Sequence, residues 1–126
     1  LDVVSVHPPP PTGPGSTDRW EEGLAALPRP GDGEGRLLLL GDFNSTLDNS
    51  AFRELLGGGF TDAGEAAGAG LVPTWPALDR ELRYLPVTID HLLAEGEDVG
   101  VRDYEVLDLD GSDHRPVYAE LFLDAG

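Results

Sequence analysis

Asp113 and His114 stand side by side in Ser112-Asp113-His114-Arg115-Pro116-Val117, where a carboxylate, an imidazole and a guanidinium occupy consecutive positions. A carboxylate can take a proton or hold a hard cation, and an imidazole changes charge near neutral pH. Four more residues have the type and setting to join them. Asp42 and Asn44 sit in Gly41-Asp42-Phe43-Asn44. If the backbone there stays extended, both point to one side and Phe43 points into the core; the plainer alternative is a polar turn after a strand. Asp90 is the odd member of Val87-Thr88-Ile89-Asp90-His91-Leu92-Leu93. A carboxylate in an apolar run needs a partner, because burying it unpaired is costly. His91 faces the other way and is expected to be structural. His7 ends a β-branched stretch, and a lone histidine before a proline run is weak evidence for catalysis by itself.

Strands and helices must bring these residues together. Leu1 to Val6 reads as a buried strand, and Pro8 to Pro11 as a stiff polyproline exit, alternatively a linker or a docking ligand for an aromatic groove. Ser16 or Thr17 is expected to cap a helix from about Asp18 to Leu27, with Trp20, Leu24 and Leu27 on one face. Arg36 to Leu40 reads as a central strand covered on both faces. A short helix carries Leu47, Phe52, Leu55 and Leu56, with Asp48 or Asn49 as cap and Gly57 to Gly59 as stop. Thr61 to Gly70 reads as a mobile small-residue loop. Pro73-Thr74-Trp75-Pro76 is a rigid turn, whose Trp75 is expected in the core rather than flanking a ligand. Strands follow at Val87 to Leu93 and about Val99 to Leu107. The last strand puts Val117, Ala119, Leu121 and Leu123 on one face and Tyr118, Glu120 and Phe122 on the other. Pro116 biases Arg115 towards an extended backbone, so the charged stretch sits at that strand's entry.

Composition narrows the function. The 126 residues suffice for one domain with a modest core. The formal charge is −16, from 24 acids against 8 bases, all Arg. Such a surface repels a phosphate backbone and suits solubility and divalent cations; a generally acidic composition explains the same number. Arg80, Arg83 and Arg115 are the Arg residues near the site motifs, and no basic stripe interleaved with aromatics is visible. There is no Cys, hence no disulfide or thiolate metal site. The longest apolar run, Leu37 to Leu40, is far too short to cross a bilayer.

Four pieces in order, Val3-Val4-Ser5-Val6-His7-Pro8, Gly41-Asp42-Phe43-Asn44, Thr88-Ile89-Asp90-His91-Leu92-Leu93 and Ser112-Asp113-His114-Arg115-Pro116-Val117, resemble the endonuclease/exonuclease/phosphatase superfamily of metal-dependent phosphoesterases related to DNase I. The resemblance implies an α/β (α+β) fold: half of a four-layered αββα sandwich, with mostly antiparallel sheet and flanking helices. It also implies in-line hydrolysis of a phosphate ester. His114 would lie beside the scissile phosphate, held by Asp90, and Asp42 would orient or deprotonate the attacking water. Asn44 and His7 would donate to the non-bridging oxygens, and Asp113 would be a ligand of Mg²⁺ or Mn²⁺.

Family members have roughly twice this length, and their N-terminal half supplies an Asn and a metal-binding Glu. Glu21 and Glu22 are in the wrong place for that task. Residues 1–126 are therefore expected to be the C-terminal portion of one such domain. Alone it would bind metal weakly, have little or no activity, and expose a face that the absent half covers or that drives self-association. The expected substrate is a small phosphate ester or lipid head group rather than DNA. The compartment is left open; a membrane-tethered parent acting outside the cytoplasm fits the family's bacterial members. The competing expectation is a non-catalytic binding or scaffolding module of the same fold.

Overall fold

A computed structural model describes residues 1–77 and 84–123, so Arg80 and Arg83 lie outside the described residues. Val3, Val4 and Val6 build β1 (Asp2–Val6), and the Leu run builds β2 (Leu37–Asp42). Between them lies α1 (Ser16–Ala25), and after them come α2 (Ser50–Gly57), β3 (Phe60–Asp62) and α3 (Ala63–Ala66). The chain continues through β4 (Asp90–Glu95), β5 (Val99–Val106) and β6 (Val117–Leu123).

The described strands form a four-stranded sheet in the order β1-β2-β4-β3 and a two-stranded sheet of β5 and β6. Only β1 and β2 are parallel; every other pairing is antiparallel. This is a mixed α/β fold of mostly antiparallel sheet with flanking helices, as expected for part of a DNase I-like sandwich. No helix among the described residues is long and apolar enough to cross a membrane.

One face of the four-stranded sheet packs on α1 and α2. Leu39, Phe43, Phe52, Leu55 and Leu93 are fully buried there, with Trp20 and Leu24 from α1. The Trp20 indole N–H also donates to the Phe43 carbonyl at 2.9 Å, which fixes α1 to the end of β2. Gly41 has φ 145°, and a Cβ there would collide with the Val6 carbonyl, so only glycine lets β1 pass this close to β2.

Four expectations need correction. β1 is an edge strand, with Val3 56 % exposed, because among the described residues it pairs only with β2. Ser16 and Thr17 lie inside α1, whose cap is Gly15 at φ 72°; the Pro14-Gly15 turn places the helix start there. Residues 61–70 are not all loop. Asp62 ends β3, and its side chain accepts the Glu65 N–H at 2.8 Å, which starts α3. The other face of β2 is only partly covered: Leu38 and Leu40 are half-buried, and β6 packs against the neighbouring β4. Asn49 is the cap of α2, accepting from Ala51 and Phe52. The β6 alternation holds, with Tyr118 and Phe122 exposed.

Candidate active site

β1 and β2 run the same way and β4 runs opposite to them. The C-terminal ends of the first two and the N-terminal end of the third therefore meet at one edge of the sheet. Asp42 and Asp90 are direct cross-strand partners there. His7 follows β1 at the same edge, and the loop before β6 delivers His114.

His114 Nδ1 donates to Asp90 Oδ2 at 2.9 Å and to Oδ1 at 3.1 Å. That bond fixes the proton on Nδ1 and turns Nε2 towards Asp42 Oδ2, 3.7 Å away. Burial of the His114 ring works against its charge. The hydrogen bond to Asp90 and the charges of Asp90, Asp42 and Asp113 outweigh it, leaving its pKa above the ordinary 6.5. The apolar strand's odd carboxylate thus has its partner. Asp42 is also pushed up, first by burial and then by the charge of Asp90, against the lowering effects of the Asn44 N–H, His114 and His7.

The signs give a test. A histidine bound more tightly by its proton in the folded state stabilises the fold fully below 6.5, and that contribution is lost as pH rises through the higher folded value. In Asp90→Asn only part of the opposing charge remains against burial. The His114 ring, followed by NMR in metal-free protein, should then titrate at a lower pH than in the parent chain. An unchanged titration would separate Asp90 from His114.

Of the two geometries open to Gly41-Asp42-Phe43-Asn44, the structure takes the polar turn at Asn44. Its φ is 49°, in the left-handed region that Asn tolerates, and its backbone N–H turns back onto Asp42 Oδ1 at 2.7 Å. Its side-chain amide donates to the Pro8 carbonyl at 2.9 Å, tying the polyproline exit to the site. Phe43 is in the core, as expected. His7 Nε2 stands 3.5 Å from Asp42 Oδ2 on a side chain 73 % exposed. Asp113 is exposed and lies outside the tight cluster, its Oδ2 accepting from the Trp75 indole at 3.4 Å. Trp75 corrects another expectation. It is half-buried on the rim, its ring centroid 6.5 Å from that of His114, because an isolated bridge to Val87 holds this turn beside the site.

Thr74 was not singled out from the sequence. It is fully buried, its hydroxyl oxygen accepts the backbone N–H groups of Ile89 and Asp90 at 3.1 Å each, and its carbonyl accepts from Arg115 N–H at 2.7 Å. It thereby clamps the start of β4 to the His114 loop. A threonine between prolines carries no such signal in the sequence. Ser112 Oγ accepts the His114 N–H at 3.1 Å and shapes the same loop.

Asp42, Asp90 and His114 offer ligand atoms all within 4.8 Å of one another, the one such group of three among the described residues. Two facing carboxylates in a partly buried site, one with its ionisation already disfavoured, are what a cation relieves. The donor set therefore fits a metal, with the carboxylates the better ligands, because they offer hard oxygens and His114 Nδ1 is already engaged by Asp90.

Comparison with known proteins bears on the family and the fold. The family model described as "Endonuclease/Exonuclease/phosphatase family" matches residues 1–114. A search among curated proteins found no match. Among solved structures, a mannosyl-6-phosphatase of Bacteroides thetaiotaomicron VPI-5482 is similar at 23 % identity and TM-score 0.54, over 86 % of this chain and 45 % of that one. A conserved protein of unknown function from Enterococcus faecalis V583 is similar at 20 % identity and TM-score 0.63, over 95 % of this chain and 49 % of that one. The chain thus spans about half the length of these structures, and at such identities the likeness concerns the fold.

Proposed function

The chain belongs to the endonuclease/exonuclease/phosphatase family, and from that premise we propose that it carries the water-activating part of a phosphoric ester hydrolase. The observation that carries this reading is the convergence of Asp90, His114 and Asp42 from three separate chain segments, at 2.9 Å and 3.7 Å.

The roles follow from the charge states. Asp42, a carboxylate with a raised pKa, takes a proton from the attacking water as its oxygen bonds to phosphorus. The ester P–O bond opposite breaks, and the leaving oxygen takes a proton from His114 Nε2, whose imidazolium Asp90 supports. Exchange with solvent returns both groups to their starting states. Asn44, with one amide hydrogen not given to Pro8, and His7 donate to the non-bridging oxygens as negative charge builds there. Asp90, joined by Asp113 from the neighbouring loop and by ligands from the rest of the domain, would hold Mg²⁺ or Mn²⁺, which would supply charge neutralisation at the phosphoryl group.

The substrate we favour is a small molecule or lipid head group rather than DNA, since a net charge of −16 opposes a polyanion. We also propose that another half of the same domain completes the site. The apolar exposure of Val3 on the β1 edge and of Tyr118 and Phe122 on β6 supports a covering segment there.

The test is hydrolysis of nitrophenyl phosphate mono- and diesters with and without Mg²⁺, by this chain and by a polypeptide that carries it with the rest of the domain. Turnover is expected from the longer polypeptide, requiring the metal, and little or none from the chain alone. An inert longer polypeptide would favour the binding-module reading.

A further inference from the structure

The rim beside His114 carries an aromatic surface with no part in the steps above. The Trp75 ring lies 6.5 Å from the His114 ring and 5.1 Å from the Tyr84 ring, tilted 46° and 37° to them. The three rings thus adjoin one another beside the reacting centre. Trp75 is held in place rather than free to swing. Its backbone N–H donates to the Val87 carbonyl at 3.1 Å, its carbonyl accepts the Val87 N–H at 2.7 Å, and its indole N–H faces Asp113. Yet its own ring is only half-buried and Tyr84 is 62 % exposed. A rigid, exposed aromatic surface gains free energy when an apolar face covers it.

We propose that Trp75 and Tyr84 form the platform for the alcohol part of the substrate, and that this part is a sugar ring. The inference rests on the hydrolase reading and adds the substrate class to it. A phosphate at Asp42 and His114 must send its ester oxygen and carbon skeleton somewhere, and the adjoining surface is the Trp75 ring. The apolar C–H face of a sugar suits the electron-rich face of an indole. Sugar hydroxyls suit the exposed Tyr84 hydroxyl, which an acyl chain would leave idle. In a nucleotide, the ring nearest the phosphate is again the sugar. Arg115, the cation beside His114 in the chain, is already engaged by Asp108 Oδ1 at 2.9 Å and the Pro73 carbonyl at 2.8 Å, and so is not turned towards a second phosphate.

NMR titration of the 126-residue chain separates the platform from the phosphate site. Its two indole signals come from Trp20, 1 % exposed, and from Trp75. The probes are inorganic phosphate, glycerol phosphate, glucose phosphate, ribose phosphate and a nucleoside monophosphate. All should move the His114 ring signals, and only the sugar-bearing probes should move the Trp75 indole. Glucose phosphate is expected to bind about three- to tenfold more tightly than glycerol phosphate, the range of one aromatic contact. Trp75→Leu should erase that preference while leaving inorganic phosphate binding unchanged, and Trp75→Phe should keep part of it. Exposed Tyr84→Ala, whose folding is not at risk, should weaken the sugar probes alone. Phosphate binding without a sugar preference overturns the platform and spares the hydrolase reading. Absence of any phosphate binding, in this chain and in the polypeptide that carries both halves of the domain, overturns both. A nucleoside monophosphate that binds more tightly than ribose phosphate overturns the sugar in favour of the base.

Discussion

Asp42→Asn, made in a polypeptide carrying both halves of the domain, is expected to lower phosphate-ester hydrolysis by about 10³- to 10⁴-fold, the scale of losing a positioned base in a preorganised site. The same change should leave the fold intact or firmer. Burial and the facing Asp90 make the ionised form of Asp42 unfavourable, so a neutral amide removes a cost. Asn can still accept the Asn44 N–H that now reaches Asp42 Oδ1 at 2.7 Å. A rise in unfolding free energy on the order of 1 kcal/mol, alongside lost activity, would be the usual exchange of stability for function. His114→Ala should cost activity on a similar scale, and the double substitution little more than either single one, because the two groups act in one step. Retained turnover in both single variants would remove the proposed mechanism.

A second large effect lies outside the reaction. His91 and Asp62 are each 2 % exposed, with His91 Nδ1 at 2.8 Å from Asp62 Oδ2. His91 Nε2 lies 2.7 Å from the Ser45 carbonyl, which can only accept, so that nitrogen carries a proton. Facing a carboxylate, Nδ1 shares a second proton with Asp62. The imidazole lies against Phe52, at 4.5 Å between ring centroids, and near Phe43, at 5.8 Å. Removing one member strands the other in an apolar setting. Asp62→Ala is therefore expected to cost about 3–5 kcal/mol in urea unfolding, a large share of a small domain's stability. It also deletes the acceptor for the Glu65 N–H that starts α3. Replacing both members by apolar residues, Asp62→Leu with His91→Phe, should recover much of the loss. Single variants within about 1 kcal/mol of the parent would show that the pair contributes little.

This pair also shows where sequence reading stops. The inward, non-catalytic face of His91 was legible from strand alternation beside Asp90. Its partner was not, because Asp62 falls in a stretch of small residues that reads as loop. Only the distant imidazole and the capped turn make that stretch a strand end and a helix start. Trp75 is a similar case. A tryptophan between prolines suits a core as well as a rim, and the bridge to Val87 that decides between them joins residues 12 positions apart. At Asn44 the sequence allows an extended end or a polar turn, and only the structure, where its own N–H folds back onto Asp42, decides for the turn.

What the sequence determined alone was the kind of parts: apolar strands carrying Asp42 and Asp90, an amphipathic helix turned inward on Trp20 and Leu24, and a charged stretch at the entry of the last strand. Those follow from periodicity and from the cost of burying a charge, which are local properties. The tertiary structure decided which parts meet. Pairing β2 antiparallel to β4 sets Asp42 opposite Asp90 across 48 positions of chain. Thr74 and the His114 loop then fill the remaining side of the site. Cross-strand register depends on the packing of whole sheet faces, and no short window of residues contains it.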